Sequence, residues 1–233
     1  MPSINIVLLP GLDGTGKLFT DFIEALPPSL TAKPIGYPSD KFLSYAELLS
    51  FLHANIPESQ PFVLLAESFS TPLAIHYAPT RPGNLKALVL CAGFAMNPIG
   101  RLMRLVVAAA PWFFSLKPPD TILKHFLLGP NAPIPLLHKV RDVLSIVDSG
   151  VITARVREIL NCDARSDLGK VAVPTLYLRP ADDQLISTQA LDAIRLAKPD
   201  ALFKSIPGPH MILQREACAS ALVLSEFVQQ LGF

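Results

Sequence analysis

Ser68 stands where an apolar, β-prone run, Val63-Leu64-Leu65-Ala66, stops abruptly and a helix-compatible segment with an early proline, Ser70-Thr71-Pro72, begins. A serine on a sharp strand-to-helix turn exposes its hydroxyl, and the turn accepts only small residues two positions to either side. Ala66 and Ser70 meet that demand, although glycine usually fills both places. An ordinary strand followed by a capped helix has the same pattern, so a reactive serine needs partners: a histidine base and an acid that orients it. His53 and His76 fall in segments of helical pattern, and His125 and His138 in an apolar middle region. His210 lies in the turn Pro207-Gly208-Pro209-His210, directly after a strand-like run, and it follows a second strand-end turn, Arg179-Pro180-Ala181-Asp182-Asp183. Aspartate is common in any such turn, and either Asp182 or Asp183 could face a histidine. The conjunction is informative, because serine, acid, histidine is one of the chain orders in which such triads occur.

Acyl transfer by a serine builds negative charge on a carbonyl oxygen, and two backbone N–H groups aimed there stabilise it. The amide of Phe69, directly after the serine, is one candidate donor. The amide of Leu12, in the loop Pro10-Gly11-Leu12-Asp13-Gly14-Thr15-Gly16-Lys17, is the other. Glycines let this backbone come close to a substrate. The loop also nearly matches GxxxxGK[ST], a phosphate-binding pattern whose last residue puts a hydroxyl on magnesium. Leu18 holds that place and has no hydroxyl, and Glu67 is a poor stand-in for the strand-end aspartate that such a metal needs. The oxyanion reading is the better of the two, with a plain glycine-rich turn as the bland alternative.

Leu12, Ser68, Asp183 and His210 need a scaffold that brings four distant turns together. Periodicity predicts strands over 4–9, 32–36, 62–66, 85–91, 174–178 and 202–206. Helices are predicted over 18–26, over 44–56 (where Ser44 and Glu47 form a capping-box pattern), and over 71–77, 188–197 and 215–231. This alternation implies an α/β fold of about six mostly parallel strands with helices on both faces. Residues 95–169 break the pattern with Leu102, Leu105, Val106, Trp112, Phe113, Phe114, Pro118 and further apolar positions, followed by helical patterns at 137–147 and 151–160. Such an insertion is expected to form a helical cap over the carboxyl ends of the strands, where open α/β sheets bind ligands. The expected division is a core of residues 1–94 and 170–233 with a cap of residues 95–169.

Composition narrows the partners. Half of the 233 residues are hydrophobic and only 17% are charged, which suits one domain with a large insertion and an apolar pocket. A formal net charge of +1 without a basic run argues against nucleic acid. The first residues lack the basic start and long apolar run of a signal peptide, and the longest uncharged apolar stretch, 105–116, is too short to span a bilayer. Cys91, Cys162 and Cys218 are scattered and odd in number, as expected of reduced thiols in a cytoplasmic protein without a disulfide framework or zinc site.

Four stretches together, Leu9-Pro10-Gly11-Leu12-Asp13-Gly14, Ala66-Glu67-Ser68-Phe69-Ser70, Pro180-Ala181-Asp182-Asp183 and Gly208-Pro209-His210-Met211, resemble the α/β-hydrolase superfamily over essentially the whole chain. Within it the chain looks like small bacterial esterase- or thioesterase-like hydrolases. The resemblance implies the α/β-hydrolase fold, with Ser68 as nucleophile and His210 as base. The family's acid is the fourth residue of a Gly-x-x-Asp turn; Pro180 stands at the glycine position, so the resemblance implies Asp183 as the acid. Two departures stand out. The family's oxyanion loop usually begins His-Gly, where this chain has Pro10-Gly11, and the two N-terminal strands of the fuller fold do not precede residue 4. The implied activity is hydrolysis of carboxylic esters or thioesters with an apolar acyl or alcohol part, through an acyl-enzyme and without metal or cofactor. Acyl transfer, C–C bond hydrolysis or perhydrolysis would use the same triad, and some proteins of this fold bind ligands without catalysis.

Overall fold

A computed structural model of the chain describes residues 4–56, 60–80, 83–99 and 119–232. One sheet is built from β1 (Ile4–Leu9), β2 (Leu30–Pro34), β3 (Phe62–Glu67), β4 (Leu85–Cys91), β5 (Thr175–Pro180) and β6 (Leu202–Ile206). The strands lie in the order β2-β1-β3-β4-β5-β6, and every neighbouring pair is parallel. β3 is buried at all its positions, as a strand covered on both faces must be. Alternate residues sort to the two faces. Val7, Leu9, Leu64, Ala66, Leu88, Leu90 and Tyr177 pack under the helices Tyr45–Asn55, Ser70–Tyr77 and Thr188–Ala197. Ile6, Leu8, Val63, Leu65, Val89 and Leu176 pack against Phe22 from helix Thr20–Glu24 and Leu224 from helix Ala217–Gln230.

The strand order reverses at β1: the chain leaves it for β2 on one side and returns to β3 on the other. Helices on either side of such a reversal diverge, which opens a crevice beyond the carboxyl ends of the two central strands. The loop after β1 and the turn after β3 meet at that point, and these are the stretches that carry Leu12 and Ser68.

Element boundaries differ from the periodicity in several places, and the helix predicted over 18–26 is a 3-10 turn at Lys17–Phe19 followed by the short helix Thr20–Glu24. β2 starts two residues early, because the Leu30 N–H turns back to the Pro27 carbonyl at 2.9 Å and puts Leu30 opposite Ile4. β5 starts after Pro174, which has no N–H to give a ladder. The single helix predicted over 215–231 is two, Ile212–Arg215 and Ala217–Gln230, because Glu216 leaves helical geometry at φ −125°, ψ 48°. The capping box at Ser44 forms as read: its hydroxyl accepts from the Glu47 N–H, and its own N–H donates to Glu47 Oε2 at 2.8 Å.

Within the insertion, helix Asp120–Leu123 runs into a π-helical turn, Lys124–Leu128, and helices Ile134–Ile146, Ser149–Asn161 and Arg165–Leu168 follow. The predicted apolar positions Leu102, Leu105, Val106, Trp112, Phe113, Phe114 and Pro118 lie outside the described residues. Leu123, Leu128, Leu137 and Val140 cluster with Leu18 and Met211, so the insertion seats on the loop after β1 and on the residue next to His210. Ala164 and Leu168, by contrast, join the sheet-face core. Among the described residues no helix is long and apolar enough to cross a membrane.

Beside Ser68, the ends of β3 and β4 are joined through Thr71, whose Oγ1 donates to the Ser68 carbonyl at 2.7 Å and accepts from the Phe94 N–H at 3.0 Å. Gly93 permits this approach, since a Cβ there would stand 2.5 Å from Thr71 Cγ2. Gly93→Ala is therefore expected to destabilise the fold by roughly 1–3 kcal/mol in urea denaturation. Adding Thr71→Ser, which removes Cγ2, should recover only part of that loss, because Thr71 Cβ at 2.9 Å and Oγ1 at 3.0 Å would still crowd the new methyl.

Candidate active site

Ser68 has φ 47°, a left-handed conformation that a residue with a side chain adopts only when its surroundings hold it. Its N–H donates to the Cys91 carbonyl at 2.9 Å, ending the β3–β4 ladder, and its carbonyl accepts from the Thr71 N–H at 2.9 Å, starting the next helix. Ala66 and Ser70 are fully buried, as the tight turn requires. Ser70 does more than stay small. Its Oγ donates to the Pro10 carbonyl in a short bond and lies 2.6 Å from the Tyr37 hydroxyl. A residue standing where the family has glycine thus ties the serine turn to the loop after β1.

His210 closes the turn after β6. Its Nε2 lies 2.9 Å from Ser68 Oγ and its Nδ1 lies 2.9 Å from Asp183 Oδ2. Asp183 Oδ1 accepts from the Leu185 and Ile186 N–H groups at 2.8 and 3.2 Å, which orients the carboxyl toward the ring. Burial alone would raise the Asp183 pKa, but attraction to His210, the bond to its ring and the two amide bonds together hold it below the usual carboxylate range. Asp182, the other aspartate in the turn, is exposed; its N–H donates to the Gly208 carbonyl at 2.9 Å and so fastens the acid turn to the histidine turn. The remaining histidines are engaged elsewhere. His76 pairs with Asp167 at 2.7 Å, His53 meets Thr80 at 3.3 Å, His125 packs edge-on to Phe126, and His138 is exposed.

The loop after β1 passes over the serine turn: a Cβ on Gly11 would stand 4.0 Å from that of Ser68. Its Gly11 carbonyl accepts from the Gly14 N–H at 3.0 Å. Asp13 Oδ2 takes the N–H and hydroxyl of Thr15 at 2.8 and 2.6 Å, and Thr15 Oγ1 takes the Lys17 N–H at 3.1 Å. These bonds, together with the Asp13 carboxylate, work against a phosphate-binding loop, whose amides must be free for an anion. Leu18 points into the apolar cluster and Lys17 into solvent. Among the described residues, the amides of Leu12 and Phe69 donate to no acceptor. No group of three or more His, Cys, Asp or Glu among the described residues is placed to hold a metal ion.

Two buried features were not legible in the motifs. Arg155, from helix Ser149–Asn161, donates to the Leu12, Asp13 and Pro38 carbonyls. A signal for it exists, because Arg155 interrupts the apolar stripe of Val151, Val156 and Leu160. Glu67, the last residue of β3, is 5% exposed and accepts from Gln214 Nε2 at 3.3 Å, while Glu67 Oε1 and Gln214 Oε1 are both buried without a partner. Burial, reinforced by repulsion from Asp13, raises the Glu67 pKa to about 7, against smaller opposing effects of the Gln214 bond and His210. In sequence Glu67 reads as the residue beside the serine and as a poor stand-in for a metal-binding aspartate, with nothing to mark its burial.

No protein-family model and no curated protein matches this sequence. Solved structures do. An esterase from Exiguobacterium antarcticum superposes with a TM-score of 0.83 at 16% identity, covering 98% of this chain and 92% of that one. An enol-lactonase from Burkholderia xenovorans gives 0.81 at 15% identity, covering 98% and 92%. A bromoperoxidase from Bacillus anthracis gives 0.80 at 17% identity, covering 97% and 92%. At such identities likeness speaks for architecture, and on that ground, with the sheet order and the serine turn already described, this chain has the α/β-hydrolase fold.

Proposed function

We propose that the protein is a serine hydrolase that cleaves carboxylic esters or thioesters with an apolar acyl or alcohol part. The observation that carries this reading is the unbroken hydrogen-bond chain from Ser68 Oγ through His210 to Asp183, each link 2.9 Å, on a serine at positive φ. In this mechanism Ser68 Oγ attacks the acyl carbonyl as His210 Nε2 takes its proton. The amides of Leu12 and Phe69 receive the oxyanion, and His210 returns the proton to the leaving group. Asp183 holds the ring's orientation and stabilises the imidazolium. A water activated by the same histidine then releases the acid.

Residues 95–169 act as the cap in this reading, and the apolar cluster of Leu18, Met211 and the inserted helices supports an apolar substrate part. The free thiols Cys91, Cys162 and Cys218 support a reducing, cytoplasmic setting. A peroxide acceptor in place of water is the second reaction to assay, since a bromoperoxidase is among the similar structures.

Treatment with a fluorophosphonate should add one adduct to the wild-type mass and none to Ser68→Ala. The same variant should lose p-nitrophenyl ester turnover by about a million-fold. A folded wild type that takes no adduct, or a variant that keeps most of its turnover, would sink the assignment.

The serine's neighbour gives a pH prediction. Because the folded-state pKa of Glu67 is raised from 4.5 to about 7, the stability this residue contributes is full below pH 4.5 and is lost as pH rises through 7. The folded state keeps a proton that the unfolded chain has already released. The span amounts to about 3 kcal/mol. Glu67→Gln should remove this slope, so that the variant gains on the wild type between pH 5 and 8 in denaturant titrations. Parallel curves for the two proteins would disprove it.

A further inference from the structure

Arg155 stands outside the chain of Ser68, His210 and Asp183, yet it touches both stretches proposed to receive the oxyanion. Its Nη1 donates to the Leu12 carbonyl at 3.0 Å and the Asp13 carbonyl at 2.7 Å, and its Nη2 donates to the Pro38 carbonyl at 2.9 Å. The guanidinium carbon is 5.8 Å from the Phe69 ring centroid and 5.9 Å from that of Tyr37. The residue is 2% exposed. A surface arginine normally pairs with a carboxylate; this one is buried and spends its fork on backbone carbonyls from two loops. Gly14 makes room for it, since a Cβ there would stand 2.4 Å from Nη1.

The consequence follows from peptide planarity. The Gly14 N–H holds the Gly11 carbonyl at 3.0 Å and so orients the plane that carries the Leu12 N–H. Arg155 holds the Leu12 and Asp13 carbonyls, which orients the next two planes. The direction of the Leu12 amide is thereby set from both sides. Pro10 offers no side-chain donor for this task, and Arg155 arrives from the inserted helix to do it. The insertion also reaches the other half of the site, where the Leu127 carbonyl accepts the Met211 N–H at 3.0 Å.

We infer that Arg155 is a positioning residue for the oxyanion loop, so that helix Ser149–Asn161 of the insertion is part of the catalytic apparatus and not only a cover. This rests on the proposed roles of Ser68 and Leu12. A group that positions an oxyanion donor raises kcat with little change in KM, because the oxyanion exists only beyond the ground state.

Kinetics on a p-nitrophenyl ester and the Ki of a trifluoromethyl ketone, which forms an oxyanion on attack by the serine, test this for wild type, Arg155→Lys and Arg155→Ala. The expected result is a loss of about 100-fold in kcat for Arg155→Ala, with KM within about threefold and Ki raised by a factor like that in kcat. Arg155→Lys keeps the charge but lacks the fork, and should fall between. Added methylguanidinium should restore part of the Arg155→Ala turnover. Folded variants with wild-type kcat and Ki, or with a change in KM alone, overturn the role of Arg155, as does failure of both variants to fold, which would make it a folding residue. A wild type that takes no fluorophosphonate adduct instead removes the hydrolase reading itself.

Discussion

The backbone of Ser68 is the constraint on which the rest of the structure depends. A side-chain-bearing residue at φ 47° persists only where neighbours over-determine it. Here β4 supplies the Cys91 carbonyl to one side of the peptide, Thr71 supplies an amide and a hydroxyl to the other, and the Tyr45 hydroxyl holds the Phe69 carbonyl at 2.7 Å. Such bracing is possible only at the end of a central strand, with β1 and β4 on its two sides. It also accounts for the neighbouring strand end, where Ala92 takes φ 47° as well and Gly93 passes against Thr71. The strain at one residue therefore sets the residue types of the elements around it.

The departures from the family pattern have physical replacements. Glycine is expected at position 70 because space is short. A buried hydroxyl there would cost about 1–3 kcal/mol if left without a partner, but Ser70 has two, the Pro10 carbonyl and the Tyr37 hydroxyl. Histidine is expected before Gly11 because the loop needs a brace. That brace comes from Arg155 at the Leu12 and Asp13 carbonyls and from the Tyr37 N–H, which donates to the Gly14 carbonyl at 2.7 Å. Tyr37 and Arg155 thus join the segment after β2, the loop after β1 and the inserted helix into one unit.

What could be read in advance follows from what each feature depends on. The apolar runs of β1, β3 and β4 and the capping box at Ser44 are local, so their strands and helix were legible. The grouping of Ser68, an acid and His210 in space was legible too, because its chain order carries information beyond any one motif; their catalytic roles belong to the proposal. The choice between Asp182 and Asp183 was open to residue reading alone, since no local pattern says which of two adjacent turn residues faces the histidine, and only the folded chain puts Asp183 Oδ2 against the ring. The resemblance did point to Asp183, through a turn in which Pro180 replaces glycine. Arg155 was visible only as an oddity on an apolar helical face. Its acceptors are backbone carbonyls, which no sequence pattern names. The packing of Ala164 and Leu168 into the sheet-face core was hidden for the same reason, since it depends on how the insertion folds back.

The charges behind the serine form a balance that a crevice of this kind must strike. Asp13, Glu67 and Asp183 gather around a single histidine and a single buried arginine. Buried like charges repel, and the three carboxyl groups differ in their partners. Asp183 is ionised with His210 and two amides on it; Asp13 takes the N–H and hydroxyl of Thr15; Glu67 has one long bond to Gln214 and an oxygen with none. The carboxyl with the poorest partners is the one whose pKa rises toward neutrality, and it stands next to Ser68. In the proposed mechanism negative charge grows on the oxyanion nearby, so the rise of the Glu67 pKa toward neutrality weakens a repulsion there, and the positive charge of Arg155 acts in the same direction.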